Sequence, residues 1–330
     1  MTKTSFKKGA KISTTILLST ILIGITFTGA NITPAFADDL CGATITSSVK
    51  LTHDQNCTDI TGGITIGADN VTVDLNGWNI NCTSAGGYLG SCQGTGTAGV
   101  DTNGFNGATV KGPGTINGFA VGVLVNGGTE ANVKNLTITG PASPGIGSNP
   151  RPAAQHAVRV TNINCPDDLS TSVNVHNNDL SNHTEGLALI GADCVNVHHN
   201  VMHDNNSDPV QCSGIVVNGS NNNKIHHNDV TRNGENLGID AGIIVLANSN
   251  NNHIYQNDVF LNNGEGISVR SGSSGNDVDR NQITGHVVFA GDLTEYGAGS
   301  NTYDKNCFTT TNIAPAPTTA KKCPLKGVGA

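Results

Sequence analysis

Residues 223–230 read NKIHHNDV, and the same frame returns as VNVHHNVM at 195–202 and NHIYQNDV at 252–259. Each copy has an apolar residue three places before an Asn and another two places after it. The frame extends to VNVHNNDL at 173–180, NDVDRNQI at 276–283 and NTYDKNCF at 301–308. The recurring residues are Asn178, Asn200, Asn228, Asn257, Asn281 and Asn306, in steps of 22, 28, 29, 24 and 25 residues. VTVDLNGWNI, which holds Val73 and Asn76, and the degenerate ATVKGPGTI and ANVKNLTI carry the pattern toward the N-terminus. A period of this length marks a solenoid.

A second motif recurs out of phase with the first. It reads AGVDT at 98, VGVLV at 121, HAVRV at 156, EGLAL at 185, SGIVV at 213, AGIIV at 241 and EGISV at 265. The alternation of apolar and other residues is strand patterning. It points inward the pairs Val123/Val125, Val158/Val160, Leu187/Leu189, Ile215/Val217, Ile243/Val245 and Ile267/Val269. Such short strands, joined by Gly- and Asn-rich turns, bury their apolar sides only by stacking coil on coil. An Asn at the same turn of successive coils can bond the Asn above and below it, and Asn tolerates left-handed backbone. These Asn therefore read as structural.

The two half-repeats together resemble the right-handed parallel β-helix superfamily, the pectate-lyase-like group, over residues 64–306. The resemblance implies an all-β right-handed parallel β-helix solenoid of about ten coils. It is expected to be capped at both ends, by residues 38–63 and by 307–330. CGATITSSVKLTHDQNC and CFTTTNIAPAPTTAKKC are the cap sequences, each bounded by cysteines.

Residues 1–37 read as an export signal: Lys3, Lys7, Lys8 and Lys11, an apolar run over 16–27, and AFA before the cleavage point. A secreted, periplasmic or cell-surface chain is the expectation, with no membrane span in the mature protein. Removing the signal takes away four of 17 basic residues and none of the 25 acidic ones, which leaves a formal charge of −12. That excess argues against nucleic acid and anionic lipid as partners. Nine cysteines in an exported chain suggest disulfides. Close spacing favours Cys41–Cys57, Cys82–Cys92 and Cys307–Cys323, stacked turns would join Cys165 to Cys194, and Cys212 is left over. Asn56, Asn81, Asn135, Asn182, Asn205 and Asn218 head Asn-x-Ser/Thr sequons that a glycosylating host could use.

In the Gly-led strand the residue between the two inward positions should face solvent. That column runs Asp101, Leu124, Arg159, Ala188, Val216, Ile244, Ser268. His156, Glu185, Asp240 and Glu265 lie near the strand starts, and Arg270 follows the last. In β-helix lyases, hydrolases and epimerases the substrate groove follows such a strand. The resemblance therefore implies polysaccharide or cell-surface glycan as partner, with Asp101, Glu185 and Arg270 as contacts. Hydrolysis with inversion wants two carboxylates about 6.5–9.5 Å apart. Glu185 and Glu265, three coil steps or ~14 Å apart, are too distant, whereas Asp240 and Glu265 stand on adjacent coils. Lyase or epimerase chemistry instead needs a base and a cation that neutralises the sugar carboxylate; His156 and Arg159, or a Ca2+ ion, would supply them. The paired aspartates, Gly-His-Gly and Arg-x-Lys of pectin hydrolases are missing from the repeat. Asp167 and Asp168 lie in a Cys-Pro loop, and RPAAQHAVR is a loose echo of the pectate-lyase arginines. The apolar members of the column suit coverage by the loop 140–155.

The histidines open a second reading, a non-catalytic surface or metal-binding protein. His176, His198 and His226 share one column, and His199 and His227 share the next. Four imidazoles from His198, His199, His226 and His227 could take Cu2+ or Zn2+, with His203 or Asp204 nearby. A resemblance to NosD-type β-helix proteins points the same way. The expected state is a monomer.

Overall fold

Val, Ile and Leu at every second position make strands, and the Asn-rich turns between them close each coil after three strands. The structure is a computed structural model that describes residues 39–57, 62–83, 97–140, 156–165, 172–206, 212–234, 240–286, 291–297 and 299–313. Among these residues there is no helix, and all strand pairs are parallel. One complete coil consists of Glu185–Ala192, Val195–His198 and Val201–His203, and the next of Ser213–Asn218, Lys224–His226 and Asp229–Thr231. Each strand pairs with its counterpart one coil away, which builds sheets A, B and C of ten, ten and nine strands. This is the expected all-β parallel β-helix solenoid. Residues 44–57, within the segment read as an N-terminal cap, supply the first strand of all three sheets. The segment 1–37, read as an export signal, lies outside the described residues.

The interior is one apolar column. Sheet A contributes Val123, Val158, Leu187, Ile215, Ile243 and Ile267 in register, with Val125, Val160, Leu189, Val217, Val245 and Val269 beside them. Sheet B adds Val175, Val197, Ile225, Ile254 and Val278, and sheet C adds Ile138, Leu180, Met202, Val230, Val259 and Ile283. All of these side chains are fully buried. In six of the seven sheet A motifs a glycine lies at a close approach, and HAVRV has Ala157 in its place. A Cβ on Gly122 would stand 2.1 Å from Ile138 Cγ2, and one on Gly266 would stand 2.2 Å from Ile283 Cγ2. The chain bends at this glycine, so the residue before it faces outward.

The Asn ladder is present. The Nδ2 of Asn178, Asn200, Asn228, Asn257 and Asn281 each donates to the Oδ1 of the next member, ending at Asn306, over 2.9–3.1 Å. Two further ladders went unforeseen. One runs Asn205, Asn233, Asn262, and the other Asn223, Asn252, Asn276, Asn301. One detail differs from expectation. The left-handed residue is not the ladder Asn but its predecessor: Asn177, His199, His227, Gln256, Arg280 and Lys305 all have φ between 51° and 56°. The ladder side chain faces inward to bond the coils, and the turn itself is made one residue earlier.

Cys41–Cys57 and Cys165–Cys194 are disulfides. Cys82 and Cys307 are disulfide-bonded as well, while Cys92 and Cys323 lie outside the described residues. Cys212 is a buried thiol. Asn205, one of the sequon residues, is fully buried inside the second ladder and is no glycan acceptor in the folded chain. Among the described residues no helix is long and apolar enough to cross a membrane.

Candidate functional site

The outer face of sheet A carries the column read from the sequence. Asp101 pairs with Leu124, then follow Arg159, Ala188, Val216, Ile244, Ser268 and Thr294. Its expected exposure is corrected. Ala188, Val216, Ile244 and Ser268 are at most 3% exposed, and Val216, Ala241 and Ile244 pack together as an apolar cluster separate from the interior. Alternation of residues sets which face a side chain takes, but not how exposed that face is. The loop 140–155 proposed as a cover lies, apart from Gly140, outside the described residues.

A second outward column precedes the bend: Val121, His156, Glu185, Ser213, Ala241, Glu265. His156 and Glu185 are neighbours in it, and Nδ1 of His156 lies 2.9 Å from Glu185 Oε2, both side chains buried. Arg159 stands half-buried on the same strand as His156, with its Nε buried and without a hydrogen-bond partner. His183, missed in the sequence, belongs to this neighbourhood. Its N–H donates to Asn205 Oδ1, so it caps the second ladder, and its Nδ1 lies 2.8 Å from the Ser181 carbonyl. Complete burial, with His156 nearby, holds its imidazole down at about 4. A histidine where later coils put Asn was the available signal.

Three coil steps beyond Glu185 lies Glu265. Its carboxylate accepts from Arg270 Nη2 at 2.8 Å and from the Tyr296 hydroxyl, and the guanidinium stacks 4.3 Å from the Tyr296 ring centre. Burial and this carboxylate push the Tyr296 phenol up to about 12. Arg270 Nε, Ser268 Oγ and Thr294 Oγ1 are buried without hydrogen-bond partners. Asp240 is one residue out of register with Glu265, which pairs with Ala241. Its Oδ1 accepts the Cys212 N–H at 2.8 Å, and its carbonyl accepts the Glu265 N–H at 2.9 Å. The two carboxylates thus serve different partners. Asp101 is half-buried and accepts the Asn103 N–H at 2.8 Å; burial raises its carboxyl above the usual range, and that bond opposes the rise.

The histidines lie on the outer face of sheet B. His176, His198, His226 and Tyr255 stack at ring separations of 4.9, 5.1 and 4.7 Å, and His199 stacks on His227 at 5.1 Å. Within a coil the rings stand edge to face, with 2.8 Å between Nδ1 of His198 and His199 and again between His226 and His227. The four imidazoles expected to take a metal ion thus adjoin one another, stacked between coils and edge to face within each coil. Among the described residues, the three or more His, Cys or acidic side chains that converge within 4.8 Å are His253, Asp277 and Asp279. His203 and Asp204 are on sheet C and its turn, bonded to each other at 2.7 Å, with Asp179 and Arg232 beside them. Desolvation, then repulsion from neighbouring imidazoles, holds His198 and His226 at about 4.

The family described as right handed beta helix region matches residues 98–312. No curated protein sequence matches the chain. Among solved structures, a mutant of the periplasmic alginate epimerase AlgG aligns with 84% of this chain and 69% of its own, with a TM-score of 0.57 and 13% identity. The Dettilon tailspike protein aligns with 78% of this chain and 55% of its own, with a TM-score of 0.51 and 16% identity. At such identities the likeness is one of fold.

Proposed function

The chain belongs to the right-handed beta helix family, and from that premise we propose that it binds or processes an extracellular polysaccharide along the outer face of sheet A. One observation carries the reading. Four donors on that face, Arg159 Nε, Arg270 Nε, Ser268 Oγ and Thr294 Oγ1, are buried without hydrogen-bond partners. Unpaired buried donors are costly, and their usual explanation is a strained or functional site. Sugar hydroxyls, ring oxygens and carboxylates are acceptors of the kind they need. On the same strand as Arg159, the His156–Glu185 couple sets an imidazole Nδ1 2.9 Å from a carboxylate, a candidate base for removing a proton beside a sugar carboxylate held by the guanidinium. Paired-carboxylate hydrolysis is less well supported, because Glu265 and Asp240 hold different partners and Glu185 is three coils from Glu265. The fold relative AlgG is an alginate epimerase, which makes alginate a first polymer to try. The disulfides agree with a secreted, periplasmic or cell-surface location.

The test is retention on immobilised alginate, polygalacturonate and neutral glycans, together with assays for unsaturated ends, reducing ends and solvent-proton exchange. Arg159→Gln should weaken retention by about tenfold, the loss of one charge-assisted bond, whereas Arg280→Gln on sheet B should leave it unchanged. Absence of retention on every polymer, or equal retention by Arg159→Gln, would overturn the reading. A non-catalytic metal-binding protein is the second reading, favoured by the 2.8 Å Nδ1 pairs of sheet B. Equal heats of Cu2+ binding to the parent and to a His198→Ala/His226→Ala double variant would remove it.

A further inference from the structure

We propose that His253, Asp277 and Asp279 form a site for a divalent transition-metal ion on the outer face of sheet B, independent of any ligand on sheet A. The register builds it. His253 pairs with Asp277 one coil on, and Asp279 follows two residues later on the same face, opposite Tyr255. From His253 Nε2 the distance to Asp279 Oδ1 is 2.8 Å and to Asp277 Oδ2 is 3.6 Å. Donors around a tetrahedral ion with bonds of about 2.0–2.2 Å lie about 3.4 Å apart, so the observed spacings need only small adjustment.

Each ligand group is also held from behind. Thr302 Oγ1 donates to Asp277 Oδ1 at 2.8 Å and leaves Oδ2 turned to the imidazole. Arg280 Nε donates to Asp279 Oδ2 and leaves Oδ1 turned the same way. The Tyr255 ring stacks on the imidazole at 4.0 Å and sets its plane. Thr302 and Arg280 are not ligands, yet both point the inner oxygens at one place, which is what outer-shell partners of a metal site do. A second coil-to-coil carboxylate, Asp304, sits in register with Asp279 and is paired with Lys305.

The donor set selects the ion. One imidazole nitrogen and two carboxylates suit Zn2+, Mn2+ or Fe2+ and balance a double positive charge; Ca2+ prefers six to eight oxygens. The side chains are 36%, 50% and 13% exposed, so coordination positions remain open to water or to an external ligand.

Calorimetric titration of the chelator-treated chain with Zn2+, Mn2+ and Ca2+ tests the site. One equivalent of Zn2+ should bind, with Ca2+ far weaker. Asp277→Asn and His253→Gln should each weaken Zn2+ by at least about tenfold, and Thr302→Val, which touches no ligand atom of the ion, by about tenfold. The His198→Ala/His226→Ala variant should stay within about twofold of the parent. Far-ultraviolet circular dichroism checks that the variants are folded, and a Zn2+-dependent rise in Tm, present in the parent and lost in Asp277→Asn, gives a second readout. No Zn2+ binding by the parent, binding unchanged in Asp277→Asn and His253→Gln, or loss in the imidazole double variant would each overturn the proposal.

Discussion

The carboxamide of Asn228 accepts from the backbone N–H and the Nδ2 of Asn200, and donates to the Val197 carbonyl and to Asn257 Oδ1. All four bonds are buried, so truncation removes partners from the coils on both sides at once. Asn228→Ala should cost about 3 kcal/mol or more in urea unfolding, against about 1 kcal/mol for a typical single bond. The ladder was legible because one side chain has to recur at one turn to bond its copies. The left-handed residue was not, because its identity is free: Asn177, His199, Gln256 and Lys305 all adopt it. The conspicuous His-His doublets are therefore one strand residue and one turn residue. This explains why their rings meet edge to face.

Sheet A shows how far an element can be read from its pattern. Which residues face in, and which share a column, follows from alternation and spacing, and Arg159 falls where the Gly-led motif puts it. Exposure does not follow, since Val216 and Ile244 obey the alternation and are still buried on the outside. The bend at the motif glycine was visible only as a recurring letter; its cause is three-dimensional. A Cβ at Gly214 would come within 2.3 Å of Val230 Cγ1 and 2.8 Å of the Gly242 carbonyl, so neither a rotamer change nor a small shift relieves it. Gly214→Ala should destabilise the protein by about 2–3 kcal/mol, measured by chemical denaturation, as overpacking does elsewhere. The base–carboxylate couple was half legible. His156 and Glu185 were each picked out, but their pairing needed the register between strands 29 residues apart.

Over the whole molecule the imidazoles pull stability in one direction. His183, His198 and His226 are held at about 4, and His176 and His286 are also lowered, each chiefly by burial. The unfolded chain, with histidines near 6.5, takes up more protons than the fold as pH falls. The contribution is complete above about pH 6.5 and is lost as pH drops toward 4. His183 is fully buried, and its share is on the order of 3 kcal/mol; the sheet B imidazoles, only partly buried, add less because water screens them. Urea midpoints at pH 7 and pH 4.5 should differ strongly in the parent and distinctly less in His183→Asn, which puts there the residue found at 205, 233 and 262. An equal pH dependence would mean that His183 does not titrate with unfolding.

The corner rule, a left-handed residue followed by one that bonds the floor above, has an evolutionary corollary. Because the joint is the same at Asn200 and at Asn228, 28 residues on, the stretch between them is a self-contained storey. Copying or excising that stretch in the gene would leave both flanking joints matched, so a lineage can change the height of the tower by whole storeys without redesigning its stairwell.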